Sequence, residues 1–166
     1  MKNKTPLINE LLKYKKEENL ILSMPGNKSG IGFLRDEIGK EFSKNMAFLD
    51  ITEVEPLDNL HNPEGVLKES QELLAKTYGV NKGYFLVNGS TSGNLSAIFS
   101  VFNEGDEVLV ERNCHKSIYN GLILRKLKPI YIDSSIDEEN EILMPCTEEN
   151  ILKALNEAKS PKGLIL

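Results

Sequence analysis

The chain has 166 residues with 20 basic and 25 acidic side chains, a net charge of −5. An apolar share of 40% suffices for a buried core and is too high for a disordered tail, while the acidic balance excludes non-specific nucleic-acid binding, which needs a basic face. No apolar run approaches the ~18 residues of a membrane span. The start, MKNKTPLINELLKYKK, lacks the unbroken apolar stretch of a secretory signal, so a cytoplasmic protein is expected.

Thr5 and Pro6 read as an N-cap followed by the first helical position. Leu7, Leu11 and Tyr14 follow on one helix face, and that helix should end before Asn19. MPGNKSGIG, residues 24–32, reads as a loop, and residues 33–62 carry no decisive pattern. A helix is expected from about Pro63 to Tyr78, closed by Gly79 as a left-handed cap. YFLV (84–87) reads as a strand, NLSAIFSVF (94–102) as a helix, VLV (108–110) as a strand and 116–127 as a helix. PIYI (129–132) is the next strand. Thr147, with Glu148 and Glu149, opens a last helix, and GLIL (163–166) is a final strand.

Strands alternating with helices, each strand a continuous apolar run, predict an α/β fold with a partial parallel sheet and helices on both faces. The division expected is an N-terminal helix and loop segment over residues 1–62 and an α/β domain over 63–166. A parallel strand at the last residue suggests a truncated piece of a larger domain, or a chain that needs a partner to complete it; the alternative is a complete small domain with an edge strand at its C-terminus. Charge is uneven: residues 1–28 hold six Lys against three Glu, and residues 133–150 hold seven acids and no base. Both segments read as solvated surface.

Cys114 and Cys146 are the only cysteines, and with His61 and His115 they match no zinc spacing, so no metal site is expected. The sharpest chemical feature is NGSTSGN, Asn88 to Asn94, between a strand and a helix. Its glycines let backbone approach a ligand, Ser90, Thr91 and Ser92 offer hydroxyls, and the helix start behind them carries about half a positive charge. The combination suits a phosphate or a carboxylate, though a serine there is also an ordinary helix cap. The loop lacks the Gly-Lys-Ser/Thr of a Walker A motif and is not GxGxxG. RNCHKS, residues 112–117, follows the next strand, so His115 should share one sheet edge with the 89–92 loop. An imidazole there can stack on a flat ring or move a proton. Cys114 is not expected to be a nucleophile, because sequence neighbours point apart and His115 could not serve as its base.

NGSTSGN followed by ERNCHKSIYNGLIL resembles the major domain of the bacterial ornithine/lysine/arginine decarboxylases. MPGNKSGIGF and DITEVEPLDNLHNPEG (50–65) resemble two further segments of that family, so four ordered motifs span the chain. The resemblance implies a truncated aminotransferase-like (fold type I) major domain that binds pyridoxal 5'-phosphate. It implies a carboxy-lyase of basic amino acids, in polyamine metabolism, working as a homo-oligomer. By position, Ser90, Thr91 and Ser92 match the loop holding the cofactor phosphate, and His115 matches the residue stacked on the pyridine ring. Asn27 stands where the family has His. The family's Schiff-base lysine and the Asp at the pyridine nitrogen lie further along than residue 166, so Lys116 is not assigned that role and no catalytic residue is assigned. The chain is therefore expected to be inactive alone. Two alternatives stay open: a non-catalytic remnant that associates with a full-length homologue, and a fragment of another fold-type-I enzyme, such as an aromatic or cysteine-handling lyase.

Overall fold

The computed structural model describes residues 5–17, 19, 20, 22, 24, 26–55 and 57–166. The first four residues of the basic start, Pro25 of the glycine-rich loop and Pro56 of the 50–65 motif lie outside them. Contacts divide the chain into two units, Met1–Ser70 and Gln71–Leu166.

In the first unit, helix α1 spans Pro6–Lys16, with Thr5 at the N-cap position. The Thr5 hydroxyl makes no capping bond; it accepts from Asn9 Nδ2 at 3.3 Å. The expected loop is in part a 3-10 segment, Lys28–Arg35, kinked at Ser29 and Gly30. Helix α2, Glu37–Asn45, falls in the stretch without a sequence pattern. It starts because the Asp36 carboxylate accepts the Gly39 amide at 2.7 Å, and it places Phe42 against Phe33, ring centres 5.3 Å apart.

Helix α3 covers Val66–Tyr78 and begins three residues later than expected. Asp58 sets its start. The carboxylate accepts the amides of Asn59 and Glu64 on one oxygen and of Gly65 and Leu67 on the other, at 2.8–3.1 Å. These amides, Glu64 foremost, hold the Asp58 carboxyl down to about 2. Because the folded value lies below the unfolded one, the Asp58 contribution is complete above about pH 4 and is lost as pH falls through about 2. A carbon-13 titration of this carboxyl should show a midpoint near 2. A midpoint near the ordinary 3.8 would mean that the amides do not hold it.

In the second unit, Gly79 takes the left-handed conformation that ends α3, φ +66°. YFLV, expected as a strand, belongs to none: no ladder bond is assigned to it, its last residue lies in a bend, and Tyr84 and Val87 are exposed. An apolar run becomes a strand only where a neighbour supplies ladder bonds, and no strand among the described residues pairs with it. Helix α4 spans Gly89–Val101, five residues longer at its start than expected, so most of NGSTSGN is its first turn.

Strand β1 is Glu107–Glu111, helix α5 Lys116–Leu124 and strand β2 Lys128–Ile132. A two-strand hairpin not foreseen from the sequence follows, β3 (Ile136–Asp137) with β4 (Ile142–Leu143). Helix α6, Glu148–Glu157, opens on a reciprocal cap between Thr147 and Asn150. Strand β5 spans Pro161–Ile165.

The main sheet runs β2-β1-β5, all parallel. Side chains of β1 alternate between its faces. Val108 and Val110 pack with Ile98, Phe102, Leu122 and Leu127 from the α4 and α5 side. Leu109 packs with Ile132 and with Ala154 of α6 on the other. The expected parallel sheet with helices on both faces is therefore present. Between Glu107 and Val108 the β5 register shifts by one residue: Glu107 faces Pro161, and Val108 faces Gly163. A Cβ on Gly163 would lie 2.7 Å from two ring carbons of Phe102, so the ring occupies the space a side chain would take. The Glu107 carboxylate accepts the amides of Lys159 and Ser160, each at 2.8 Å, which pins the turn into β5. Those bonds, Ser160 first, lower the Glu107 pKa.

Candidate functional site

Two ends meet at one rim of the sheet. Helix α4 leads through a tight turn at Asn103–Asp106 into β1, so the helix runs back along the strand and its start lies at the strand's C-terminal end. His115 lies four residues beyond the end of β1 and opens α5. In parallel sheets, ligands bind outside the carboxyl ends of the strands.

At the start of α4, Gly89 holds φ +70°, a conformation that disfavours a side chain. Ser90 and Thr91 are exposed, and their hydroxyls have no partner among the described residues. Ser92 is half-buried and donates its hydroxyl to the Gly89 carbonyl at 2.8 Å. The first-turn amides have no partner inside the helix. The turn thus offers two free hydroxyls, free N–H groups and the positive end of the helix dipole, a donor set for a phosphate or carboxylate.

His115 occupies the N-cap position of α5 with extended backbone, φ −63° and ψ 145°. Its Nδ1 accepts the Ser117 amide at 3.1 Å and lies 2.9 Å from Ser117 Oγ. Ser117 is 1% exposed, and Asn94 Nδ2 donates to its hydroxyl at 2.8 Å. A continuous set of bonds therefore joins His115 to the second turn of α4, whose first turn carries Ser90, Thr91 and Ser92. Asn94 and Ser117 were each inside a quoted motif, but sequence reasoning gave neither a role. Their only signal is that each ends its motif.

The helices approach this closely because residue 121 is Gly: a Cβ there would run into Ile98 Cδ1. The end of β1 is tied down on its other side as well. Glu111 Oε1 accepts the Cys146 amide at 3.2 Å and the Ser134 hydroxyl at 3.4 Å. Tyr119 donates its hydroxyl to the Arg112 carbonyl at 2.6 Å. Burial pushes the Cys114 thiol up, opposite to the lowered value of a reactive nucleophile. Lys116 is exposed beside His115. Among the described residues no group of three or more His, Cys, Asp and Glu converges on a metal position, and no helix is long and apolar enough to cross a membrane.

The family described as Orn/Lys/Arg decarboxylase, major domain, matches residues 5–165. The chain belongs to it. The uncharacterized protein YaaO of Bacillus subtilis is 37% identical over 162 residues, covering 98% of this chain and 33% of YaaO. An arginine decarboxylase of Bacillus cereus is 34% identical over 163 residues, covering 98% of this chain and 35% of that enzyme. The constitutive lysine decarboxylase of Escherichia coli shares the fold, with TM-score 0.63 and 23% identity over 97% of this chain and 24% of that one. The Francisella novicida lysine decarboxylase LdcF gives TM-score 0.57 and 25% identity over 95% of this chain and 23% of its own. The chain thus spans about a third of the length of the curated relatives it matches.

Proposed function

We propose that this chain is the part of a pyridoxal-phosphate-dependent decarboxylase of ornithine, lysine or arginine that holds the cofactor phosphate and covers one face of its ring. The observation that carries the reading is the hydrogen-bonded link from His115 through Ser117 to Asn94, which holds an imidazole beside the helix start that offers the anion donors. Ser90, Thr91 and the first-turn amides would hold the phosphate, Ser92 would shape the turn, and His115 would lie against the ring. That donor set fits the cofactor: two unpartnered hydroxyls at a helix start suit a phosphate dianion, and a fixed flat imidazole suits an aromatic ring.

When bound, pyridoxal phosphate supplies an electron sink for the pair left on the α-carbon as the carboxylate departs. This chain contributes binding and orientation to that chemistry. Neither the lysine that bonds to the cofactor nor the Asp at its ring nitrogen has a match here, so the chain is proposed not to decarboxylate alone. A cytoplasmic setting, a role in polyamine formation and assembly with a second chain belong to the same proposal.

The test is equilibrium dialysis of the purified chain against pyridoxal 5'-phosphate and against pyridoxal. The expected result is saturable binding that requires the phosphate and that inorganic phosphate competes away. Borohydride should not fix the cofactor to one particular lysine. Equal retention of the two compounds, or stoichiometric fixation at Lys116, would overturn the reading. A second reading, a non-catalytic module, draws on the outer edges of β2 and β5, which have no partner strand among the described residues. It expects capture of a full-length homologue with or without cofactor.

A further inference from the structure

Ser117 is buried, polar and distant from any role the family resemblance assigns, yet it sits at the crossing of the three bonds that define the site. The direction of each bond can be worked out from the donors that have no choice. The Ser117 backbone N–H can only donate, and its acceptor is His115 Nδ1, so Nδ1 carries a lone pair. The Asn94 side-chain NH2 can only donate, and its acceptor is Ser117 Oγ. The Ser117 hydroxyl proton is then free to point at Nδ1, 2.9 Å away. In the neutral ring the proton therefore sits on Nε2, which has no partner among the described residues. Two donors on one ring nitrogen also fix the plane of the imidazole.

We propose that Asn94 and Ser117 are positioning residues that lock the neutral His115 ring in its Nε2–H tautomer and hold its plane at the strand tip. This deepens the reading of His115 as the ring-contact residue and rests on it for its purpose, though not for its geometry. Asn94 acts at second remove: its amide occupies the serine lone pair and so turns the hydroxyl proton toward the ring. The pairing spans 23 residues in sequence and joins two helices, so it couples the ring's orientation to the same helix that carries Ser90 and Thr91.

The test is nitrogen-15 correlation spectroscopy of the imidazole in the full chain at pH 8.5, above the ordinary imidazole range of about 6.5. In the unsubstituted protein Nε2 should give the protonated signal and Nδ1 the unprotonated one. Finding the proton on Nδ1 overturns the proposal with no variant needed. Ser117→Ala should lower the Nε2–H to Nδ1–H ratio about fivefold, the loss of one hydrogen bond of ordinary net strength, and Ser117→Thr should restore it. Asn94→Asp keeps the shape and reverses the polarity. Its carboxylate would take the serine proton, so the ratio should fall similarly with Ser117 still present. An unchanged ratio in both Ser117→Ala and Asn94→Asp, each with a native amide spectrum, also overturns the proposal. The two proposals fail separately: tautomer changes as expected without any cofactor binding would sink the functional reading alone, and phosphate-dependent binding with unchanged ratios would sink this one alone.

Discussion

Alanine at Ser90 or at Thr91 should each weaken retention of pyridoxal 5'-phosphate by about tenfold to a hundredfold, while alanine at Ser92 should change it less than about threefold. A hydrogen bond to a charged group contributes roughly 1.5–3 kcal/mol, and 1.4 kcal/mol is a factor of ten. Ser90 and Thr91 have free hydroxyl protons to give to an anion. The Ser92 proton is already committed to the Gly89 carbonyl, at 2.8 Å. Dialysis of the three single variants and of pyridoxal as control separates them. Retention of pyridoxal, which has no phosphate, should respond to none of them. An equal loss at all three positions would show that the Ser92 hydroxyl turns to the ligand. No loss at Ser90 and Thr91 would remove the phosphate site from this turn.

Valine at Gly121 should cost about 1–3 kcal/mol of stability in the second unit, the range for overpacking a filled core. The position faces Ile98, which is 3% exposed and part of the cluster with Val108, Val110 and Leu122. A single methyl at Gly121 would already meet Ile98 Cδ1. In an exposed helix a side chain in place of glycine would gain roughly 0.5–1 kcal/mol, so a net loss measures the crowding. Ile98 Cδ1 can swing aside to relieve part of the overlap, and what remains pushes the helices apart and lengthens the 2.8 Å bond between Asn94 and Ser117. Chemical denaturation gives the first effect, and the loss of protection of the Ser117 amide from hydrogen exchange gives the second. A variant as stable as the parent would show that α4 and α5 have room to spare.

Much of the second unit was legible because its signals are local. The alternation at Val108, Leu109 and Val110 comes from the period of a strand, Thr147 marks a helix start by its own hydroxyl, and Gly79 marks a helix end by its conformational freedom. The failures have one cause, that the deciding partner is not a sequence neighbour. YFLV has the composition of a strand, but no strand among the described residues pairs with it. NGSTSGN reads as a loop because Gly, Ser and Asn are poor helix formers, yet its last six residues lie inside α4. Helix α2 has Gly39 in its first turn, where the approach of the Phe33 backbone leaves no space for a Cβ. The expectation that Ser90, Thr91, Ser92 and His115 share one rim rested on YFLV as a strand of the sheet; in the structure the packing of α4 and α5 through Asn94 and Ser117 joins them instead. The bonds that join them could not be read from the sequence, because Asn94 and Ser117 meet only after α4 and α5 pack across a glycine 23 residues beyond Ile98.

The one-residue slip between β1 and β5 takes Lys162 out of the ladder, so the chain can lose a residue at this point without changing the phase of the strand. With the slip, Gly163 stands opposite Val108 and leaves room for the Phe102 ring. Without it, the neighbour of Val108 would be Lys162, and a long ammonium-bearing side chain would be aimed at the aromatic face. Deleting Lys162 would therefore keep Gly163 opposite Val108 and straighten the ladder, whereas deleting Leu164 would bring Ile165 opposite Leu109 and turn its side chain to the other face.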